Sequence, residues 1–269
     1  MDAILAQDVS FDVEVLIHDD ASTDGTAELA REAEQDNPEI VRAILQTDNL
    51  YSRNLKVRPL ILPQAKGKYI AYCDGDDVWR DPRKLAKQVE FLESNTDFVI
   101  CYHGFQLIDE NGQDLPTPQR TKKSRDLDSD ALARAEADIL NGTLMHRNLP
   151  IEFPPEFSLA PNGDAFFPVL VAPNGKAKFL DDIVPLGYRQ HGTAAWSAQT
   201  RSAKLKQSLQ SHLQISAYLL RVGNTDAARH VMKKKVVRAL KKFDRRDQAS
   251  QKGEAIRKML SQLIPGSKR

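Results

Sequence analysis

Strand-like and helix-like segments alternate through the first hundred residues, and this order is the feature that most restricts the fold of the chain. VEVLIH (13–18) and EIVRAILQ (39–46) are short, nearly continuous apolar runs, which are typical of strands buried on both faces of a parallel sheet. TAELAREAEQ between them is rich in helix-forming residues. GKYIAYCD (67–74) predicts a third strand. The alternation predicts an α/β domain with a mostly parallel sheet.

The rest of the chain continues this pattern and then becomes helical. Apolar residues at helical spacing after Pro82 predict a helix, and 97–109 predicts one or two strands before a turn at Asn111-Gly112. We further expect a loop over 113–128, a helix over 130–140, a strand at TLMHRN, a loop at FPPEFSLAPNGD, a helix at DAFFPVLVA and two strands within GKAKFLDDIVPLGYRQHG. Beyond Trp196 two helices are predicted, with the apolar face of the first at Leu209, Leu213, Ala217 and Leu220, and that of the second at Ala228, Met232, Val236, Leu240 and Phe243.

Two acidic clusters, HDDASTD and DGDD, each follow a predicted strand. Ligands of open α/β sheets bind at the carboxyl ends of the strands, so we expect both clusters at one edge. Carboxylate oxygens suit Mg²⁺ or Mn²⁺, and such a cation could stabilise the charge of a leaving phosphate. The structural alternative is that Asp76 and Asp77 only favour the dipole of the helix that follows.

Composition indicates a folded protein with an uneven charge distribution. The chain has 269 residues, 41% of them hydrophobic, and its net charge is +1. Residues 201–269 contain 18 Lys+Arg and 4 Asp+Glu, which leaves a net charge of −13 for residues 1–200. Cys73 and Cys101 lie in apolar runs and are predicted to be reduced. The start MDAILAQDVSF lacks the features of a signal peptide, and no long apolar run occurs, so a cytoplasmic protein is predicted.

Three blocks resemble the family-two nucleotide-sugar glycosyltransferases of bacteria. They are VEVLIHDDASTDGT, AKGKYIAYCDGDDVWRDPRKLAKQVEFLE and GYRQHGTAAWS, in that order, within residues 4–198. The resemblance implies a Rossmann-like glycosyltransferase-A fold, inversion of the anomeric centre, a nucleotide-diphosphate sugar donor and a divalent cation, Mn²⁺ or Mg²⁺. We expect a catalytic domain over 1–198 and a basic helical region over 199–269.

Carried over position by position, the resemblance implies a donor site and a catalytic base. Asp20 in HDDAS would contact the nucleotide base, Asp74 would lie near the ribose or the metal, and Asp76 would bind the metal. Asp164 in NGDAFF falls at the position of the base, which takes a proton from the acceptor hydroxyl. The remaining assignments place Arg189 at the diphosphate, His191 at the metal, Arg53 on a donor-side loop, and Asp77 and Trp196 at the sugar or acceptor.

Each of these residues also has a purely structural interpretation. Asp20 could cap a turn, and Asp164 could cap the helix that begins beside it. His191 could be a hydrogen-bonded loop histidine, Trp196 a core residue and Arg53 a solvated surface charge.

One departure from the family pattern concerns the start of the sheet. Relatives begin with a strand upstream of the ILAQ stretch, whereas Met1 falls inside what resembles their first helix. We therefore expect the first strand to be absent, leaving a gap in the sheet and weak donor binding. This departure keeps a second function open, a non-catalytic remnant or glycan-binding scaffold. A sugar nucleotidyltransferase would favour a glycine-rich N-terminal phosphate loop, which the sequence does not contain.

The expected partners are a nucleotide-sugar donor, with a UDP-sugar favoured, and a glycan or lipid-linked acceptor in cell-surface polysaccharide synthesis. The basic region allows three interpretations, in descending order of preference. Its helices could present a solvated charged face, could bind an anionic membrane surface through residues 201–246 at the inner face of the membrane, or could bind nucleic acid. No aromatic interleaving or zinc-ligand spacing supports nucleic acid, so we expect none to bind.

Overall fold

Strands and helices alternate in the first part of the chain, and two helical segments lie at the end of the part that the structure describes. The structure, a computed structural model, describes residues 1–53, 55–116, 125–190 and 199–241. In chain order its elements are α1 (Asp2–Leu5), β1 (Val15–Asp19), α2 (Thr26–Asp36), β2 (Val41–Leu45), α3 (Arg58–Ile61), β3 (Tyr69–Ala71), α4 (Lys84–Ser94), β4 (Phe98–Tyr102), β5 (Phe105–Ile108), α5 (Ser129–Ala133), β6 (Met145–Arg147), α6 (Pro155–Leu159), α7 (Gly163–Val171), β7 (Lys176–Phe179), β8 (Leu186–Arg189), α8 (Arg201–Arg221) and α9 (Thr225–Val231). The last helix continues through a π-helical segment, Met232–Val237.

The described strands form three separate sheets. β1 and β2 pair in parallel, with Val15 opposite Val41 and Asp19 opposite Leu45. The second sheet has the order β3-β6-β4-β7, in which β6 is antiparallel to both β3 and β4, while β4 and β7 are parallel. β5 and β8 form a third, parallel pair. Three of these five pairings are parallel, so the predicted α/β class is confirmed.

Two apolar clusters hold the layers together. The larger cluster joins β4 to α5, α7, α8 and α9 through fully buried residues, among them Ile100, Leu132, Phe166, Phe167 and Ile215. The smaller cluster lies between α4 and the strands and includes Trp79, Leu92, Cys101 and Leu186. Both cysteines are free thiols, as predicted. The C-terminal helices thus share a core with the strand-containing part of the chain, and the boundary at residue 198 stays a prediction.

Three predictions about individual elements are wrong. The helix expected over 130–140 ends at Ala133, because Ala135 takes a left-handed conformation with φ 51°. The loop expected at FPPEFSLAPNGD contains α6. The predicted apolar face of α8 points outward at Leu213 and Leu220, which are 44% and 57% exposed. The N-cap of α2 is Gly25, which has φ 87°, and the helix begins at Thr26.

The edge of the first sheet bears on the expected gap. Within the described residues β1 pairs only with β2, and its first four residues are half-buried instead of buried. That a further strand belongs beside β1 stays a prediction.

No helix within the described residues is both long and apolar enough to cross a membrane.

Candidate active site

The DGDD segment forms a tight turn shortly after β3, with two residues between them, and is fixed to β8. The Asp77 amide donates to the Asp74 carbonyl oxygen at 3.0 Å, which closes the turn. Val78 and Gly187 then exchange two backbone hydrogen bonds, at 3.0 and 2.9 Å. The Arg189 amide donates to Asp77 Oδ1 at 3.1 Å. The acidic turn is therefore a rigid feature between two strands.

The carboxylates of this turn repel one another. Asp77 is buried, Asp76 is half-buried and Asp74 is an exposed residue. Asp77 is 9% exposed, and its Oδ2 is buried without a hydrogen-bond partner among the described residues. Burial raises the pKa of Asp77 to about 7, with Asp74 and Asp76 adding to the shift. Loss of hydration around the Asp74 carboxyl, followed by repulsion from Asp164 and Asp76, raises the pKa of Asp74 to about 6. A cluster of carboxylates with raised pKa values would be stabilised by a cation.

The donor set suits a hard cation that binds a second ligand. Asp74 and Asp76 offer carboxylate oxygens, the ligands that Mg²⁺ and Mn²⁺ prefer. Among the described residues, no group of three or more His, Cys, Asp and Glu side chains is arranged to hold a metal ion alone. An open, incomplete shell is typical of a cation that shares its coordination with substrate phosphates. A cation held by Asp74 and Asp76 would therefore need further ligands, such as substrate phosphates.

Asp164 lies in the first turn of α7 and faces the acidic turn. Its side chain is 58% exposed, and its Oδ1 accepts a hydrogen bond from Arg58 Nη2 at 3.2 Å. The N-cap of α7 is Asn162, whose Oδ1 accepts from the amides of Asp164 and Ala165, both at 3.1 Å. Asp164 is therefore not the residue that caps the helix, and its carboxylate remains accessible to a substrate.

Sequence reasoning missed Arg58 and Asn141, which lie between the acidic DGDD turn and Asp164. Arg58 Nη2 also donates to Asn141 Oδ1 at 2.7 Å, and Arg58 Nη1 is buried with no acceptor among the described residues. Lys56 lies close to Asp164 as well, and its ammonium donates to the Pro161 carbonyl oxygen at 3.1 Å. Burial lowers the pKa of Lys56. Nothing in the polar stretch DNLYSRNLKVRP distinguishes these cations from surface charges.

Trp79 is a further site residue, and the GDD-W pattern could have identified it. Its Nε1 donates to the Gly142 carbonyl oxygen at 3.1 Å, which fixes the turn that carries Asn141. A Cβ on Gly142 would lie 2.9 Å from Leu186 Cδ2 and 3.4 Å from Asp77 Oδ2, so the turn packs closely on the acidic site.

Other predicted site residues are engaged in internal contacts. Asp20 accepts from the amides of Leu50 and Tyr51 at 2.7 and 2.9 Å, so its carboxylate shapes the loop after β2. Arg189 donates from Nε to the Asp76 carbonyl oxygen at 2.8 Å, and from Nη1 to the carbonyl oxygens of Asp109 and Glu110 at 2.9 and 2.7 Å. A nucleotide-base contact for Asp20 and a diphosphate contact for Arg189 stay predictions.

The three remaining predicted site residues are Arg53, His191 and Trp196. Arg53 is exposed and lies 3.7 Å from Asp48, between Nη1 and Oδ2. Its donor-side role stays a prediction. His191 and Trp196 lie outside the described residues.

The fold and this geometry define an α/β protein in which a strand-end acidic turn faces a helix-borne carboxylate. The sequence model described as "Glycosyl transferase family 2" matches residues 1–151, which is more than half of the chain. The chain therefore belongs to the family-two glycosyltransferases, and its fold is the Rossmann-like glycosyltransferase-A fold followed by C-terminal helices.

Individual relatives agree with this assignment. An uncharacterized protein of Mycobacterium tuberculosis is 35% identical over 207 residues, which cover 76% of this chain and 58% of that protein. An uncharacterized glycosyltransferase of Nostoc sp. is 28% identical over 83% of this chain and 71% of its own length. A putative teichuronic acid biosynthesis glycosyltransferase of Bacillus subtilis is 32% identical over 38% of each chain. The chain thus spans little more than half the length of the mycobacterial relative.

Proposed function

We propose that the protein is an inverting glycosyltransferase that transfers a sugar from a nucleotide-diphosphate donor, with a UDP-sugar expected, to a hydroxyl of a glycan or lipid-linked acceptor. The observation that carries the proposal is the opposition of the accessible Asp164 carboxylate to the acidic DGDD turn, with Arg58 between them. The name of the Bacillus subtilis relative supports a role in cell-surface polysaccharide synthesis.

In the proposed reaction Asp164 acts as the general base. Its carboxylate accepts the proton of the acceptor hydroxyl as that oxygen forms a bond to the anomeric carbon of the donor sugar. The bond from the anomeric carbon to the phosphate oxygen breaks on the opposite face, and the nucleoside diphosphate leaves with the bonding electrons. Exposure of Asp164 suits this role, because the acceptor approaches from solvent.

Asp76 and Asp74 would hold the divalent cation, with His191 as a further expected ligand. When bound, the cation would stabilise negative charge on the leaving diphosphate. The burial of Asp77 and its hydrogen bond from Arg189 support a role in holding the turn, beside the sugar or acceptor contact expected from the family. Trp196 is the other residue proposed for that contact.

We also propose that the acceptor is reached at an anionic membrane surface, at the inner face of the membrane, through the basic helices. Residues 199–241 contain ten Lys and Arg residues and one acidic residue, Asp226. Lys206, Leu213 and Leu220 lie at spacings of seven on the exposed side of α8, which combines cationic and apolar contacts.

Donor screening tests the proposed reaction. UDP-, GDP- and dTDP-sugars would be offered with Mn²⁺, and binding and turnover would be measured by calorimetry and product release. Asp164→Asn should retain nucleotide binding and lower kcat by at least about 10²-fold. Asp76→Ala should lose Mn²⁺-dependent binding, whereas Asp130→Asn, which changes a 78% exposed acid on α5, should leave both unchanged.

Two results would contradict the proposal. Failure of the wild type to bind any nucleotide diphosphate with Mn²⁺ would exclude a nucleotide-sugar site. Donor binding without turnover on any acceptor would instead favour the glycan-binding scaffold.

A further inference from the structure

Arg58 is an unusually buried cation next to the proposed catalytic base. Its side chain is 10% exposed, and its guanidinium carbon lies 4.6 Å from the ring centre of Tyr72 and 4.3 Å from that of Phe167. Packing between two aromatic rings leaves the planar guanidinium few orientations. Burial of a charge is costly unless polar partners compensate it, so its hydrogen bonds report what the residue is placed to do.

The hydrogen-bond partners of Arg58 connect Asp164 to the acidic DGDD turn. Nη2 donates to Asn141 Oδ1 at 2.7 Å and to Asp164 Oδ1 at 3.2 Å. The Asn141 side chain lies close enough to the Asp74 carboxyl to lower the pKa of Asp74 against the larger effect of lost hydration. A continuous set of contacts therefore runs from Asp74 through Asn141 and Arg58 to Asp164.

Side chains on the opposite side of the Asn141 turn hold its backbone through hydrogen bonds. Trp79 Nε1 donates to the Gly142 carbonyl oxygen, and Gln88 Nε2 donates to the Thr143 carbonyl oxygen at 3.0 Å. Gly142 and Thr143 are buried. Asn141 is consequently a fixed acceptor, and Arg58 is oriented by it more strongly than by the longer contact to the exposed Asp164.

We propose that Asn141 and Arg58 are positioning residues that set the orientation of the Asp164 carboxylate relative to the DGDD turn. The inference rests on the proposed function, because the orientation matters only if Asp164 takes a proton from an acceptor. Arg58 also places a positive charge between Asp164 and Asp74, which otherwise repel each other. Lysine cannot replace it, because an ammonium could bond both oxygens but lacks the planar group that stacks between the two rings.

Asn141→Ala is the most informative variant, because it removes the fixed acceptor and leaves both Arg58 and Asp164 in place. We expect kcat to fall by about 10–100-fold while the donor KM changes by less than about threefold, since a misplaced base slows the chemical step. Asn111→Ala is the matched control, because Asn111 lies in an exposed turn and, among the described residues, bonds through its backbone amide. Arg58→Lys should lower kcat at least as much as Asn141→Ala.

A double-mutant cycle separates positioning from a general structural effect. If Asn141 acts through Asp164, Asn141→Ala should cause no further loss of kcat in an Asp164→Asn background. If the loss of kcat in the double variant equalled the product of the two single losses, the residues would act independently and the proposal would be overturned. An unchanged kcat in Asn141→Ala would overturn it as well.

An NMR measurement judges the arrangement even if no donor is turned over. The Arg58 guanidinium should rotate and exchange its Nη protons slowly in the wild type and in Asn111→Ala, and faster in Asn141→Ala. An equally slow signal in Asn141→Ala would overturn the positioning role. Absence of turnover in the wild type, with the expected change in the guanidinium signal, would contradict the proposed function and retain the Asn141–Arg58 coupling.

Discussion

Lys84 is a single charged residue placed fully inside the smaller apolar cluster. It is 1% exposed, its Nζ donates to Gln88 Oε1 at 2.7 Å, and it lies 4.1 Å from the ring centre of Trp79. Burial lowers the pKa of Lys84 to about 7. The titratable groups around it are Cys73, Cys101 and His103. Lys84 therefore supports the tryptophan that holds the Asn141 turn, at a cost in stability when it is protonated.

Replacement of Lys84 by methionine should change the pH dependence of stability. Because the folded-state pKa is depressed, the unfolded chain binds more protons above pH 7, and wild-type stability rises with pH until the unfolded lysine also titrates. Relative to Lys84→Met, the wild type should gain up to about 1.4 kcal/mol per pH unit between about pH 8 and pH 9.5. Urea unfolding of both proteins at several pH values measures this difference.

The comparison isolates Lys84, because the thiols and histidine titrate in both proteins. Lys66→Met, at an exposed position, should show a difference from the wild type that does not vary with pH. If the difference in unfolding free energy between Lys84→Met and the wild type did not vary with pH, the pKa of Lys84 would be the same in the folded and unfolded chain, and this prediction would be wrong.

Residues of the candidate site differ in how readily the sequence reveals them. Asp74 and Asp76 stand in a block that carries the family resemblance, and Asp164 falls at the position where the family places its base, so all three could be selected from the sequence. Arg58 and Asn141 could not, because they are 83 positions apart and meet only when α3 packs beside the turn before β6. Their role depends on tertiary placement, which local patterns do not contain.

At the scale of elements, strands and amphipathic helices were predictable where burial follows local hydrophobicity. The eight strands of the described residues and the helix α4 overlap predicted segments, and β1 ends one residue later than predicted, at Asp19. The prediction for α8 was wrong because polar side chains occupy its buried face. Ser211 is fully buried, and its Oγ donates to the Gln207 carbonyl oxygen at 2.9 Å and accepts from the Asn162 amide at 2.8 Å. A buried polar group with both bonds formed costs little, so hydrophobicity alone misassigned the face.

Gly175 controls how β7 enters the parallel pair with β4. Its φ is 149°, and a Cβ at this position would lie 2.6 Å from the Asp97 carbonyl oxygen. The Lys176 amide donates to that same oxygen at 2.9 Å, next to a register shift between Phe98 and Ile100. The backbone therefore approaches β4 more closely than any side chain permits.

We expect Gly175→Ala to destabilise the fold by more than about 2 kcal/mol, because backbone strain and a backbone clash act together. Gly112→Ala is the matched control, since Gly112 has φ 83° but nothing within 4 Å of the added Cβ. It should cost about 1 kcal/mol, from conformation alone. Thermal and urea unfolding would measure both, and equal costs would contradict the role of close approach at Gly175.

At the scale of the whole molecule, charge is divided while the core is shared. The net charge is +14 over 201–269 and −13 over 1–200. Ile215, Ala228 and Val231 from the C-terminal helices nevertheless lie in the same apolar cluster as Phe166 and Val99. The basic helices are thus held against the α7 layer that carries Asp164. A surface bound by these helices would lie at a fixed position relative to the candidate site.

This arrangement predicts binding to anionic vesicles that depends on the exposed side of the last helix. Lys233 and Lys234 are both exposed. Each basic side chain near an anionic bilayer contributes about 1 kcal/mol, so Lys233→Glu/Lys234→Glu should weaken binding at least about tenfold. Co-sedimentation of the full chain would be compared on phosphatidylcholine alone and on phosphatidylcholine mixed with phosphatidylglycerol. Binding to the anionic vesicles should also fall as salt rises, since screening shortens the range of the attraction.

A matched reversal of charge elsewhere decides whether the effect is local or reflects net charge alone. Arg31→Glu/Arg134→Glu makes the same change of charge on α2 and at the C-cap of α5, where each arginine pairs with an acid of the same or the adjoining helix. If a membrane surface is bound through the C-terminal helices, this control should retain most of the wild-type affinity. Equal loss in both double variants would mean that the vesicles sense only net charge. Equal wild-type binding to neutral and anionic vesicles would contradict an electrostatic surface altogether, and would leave the basic helices as a solvated face of the fold.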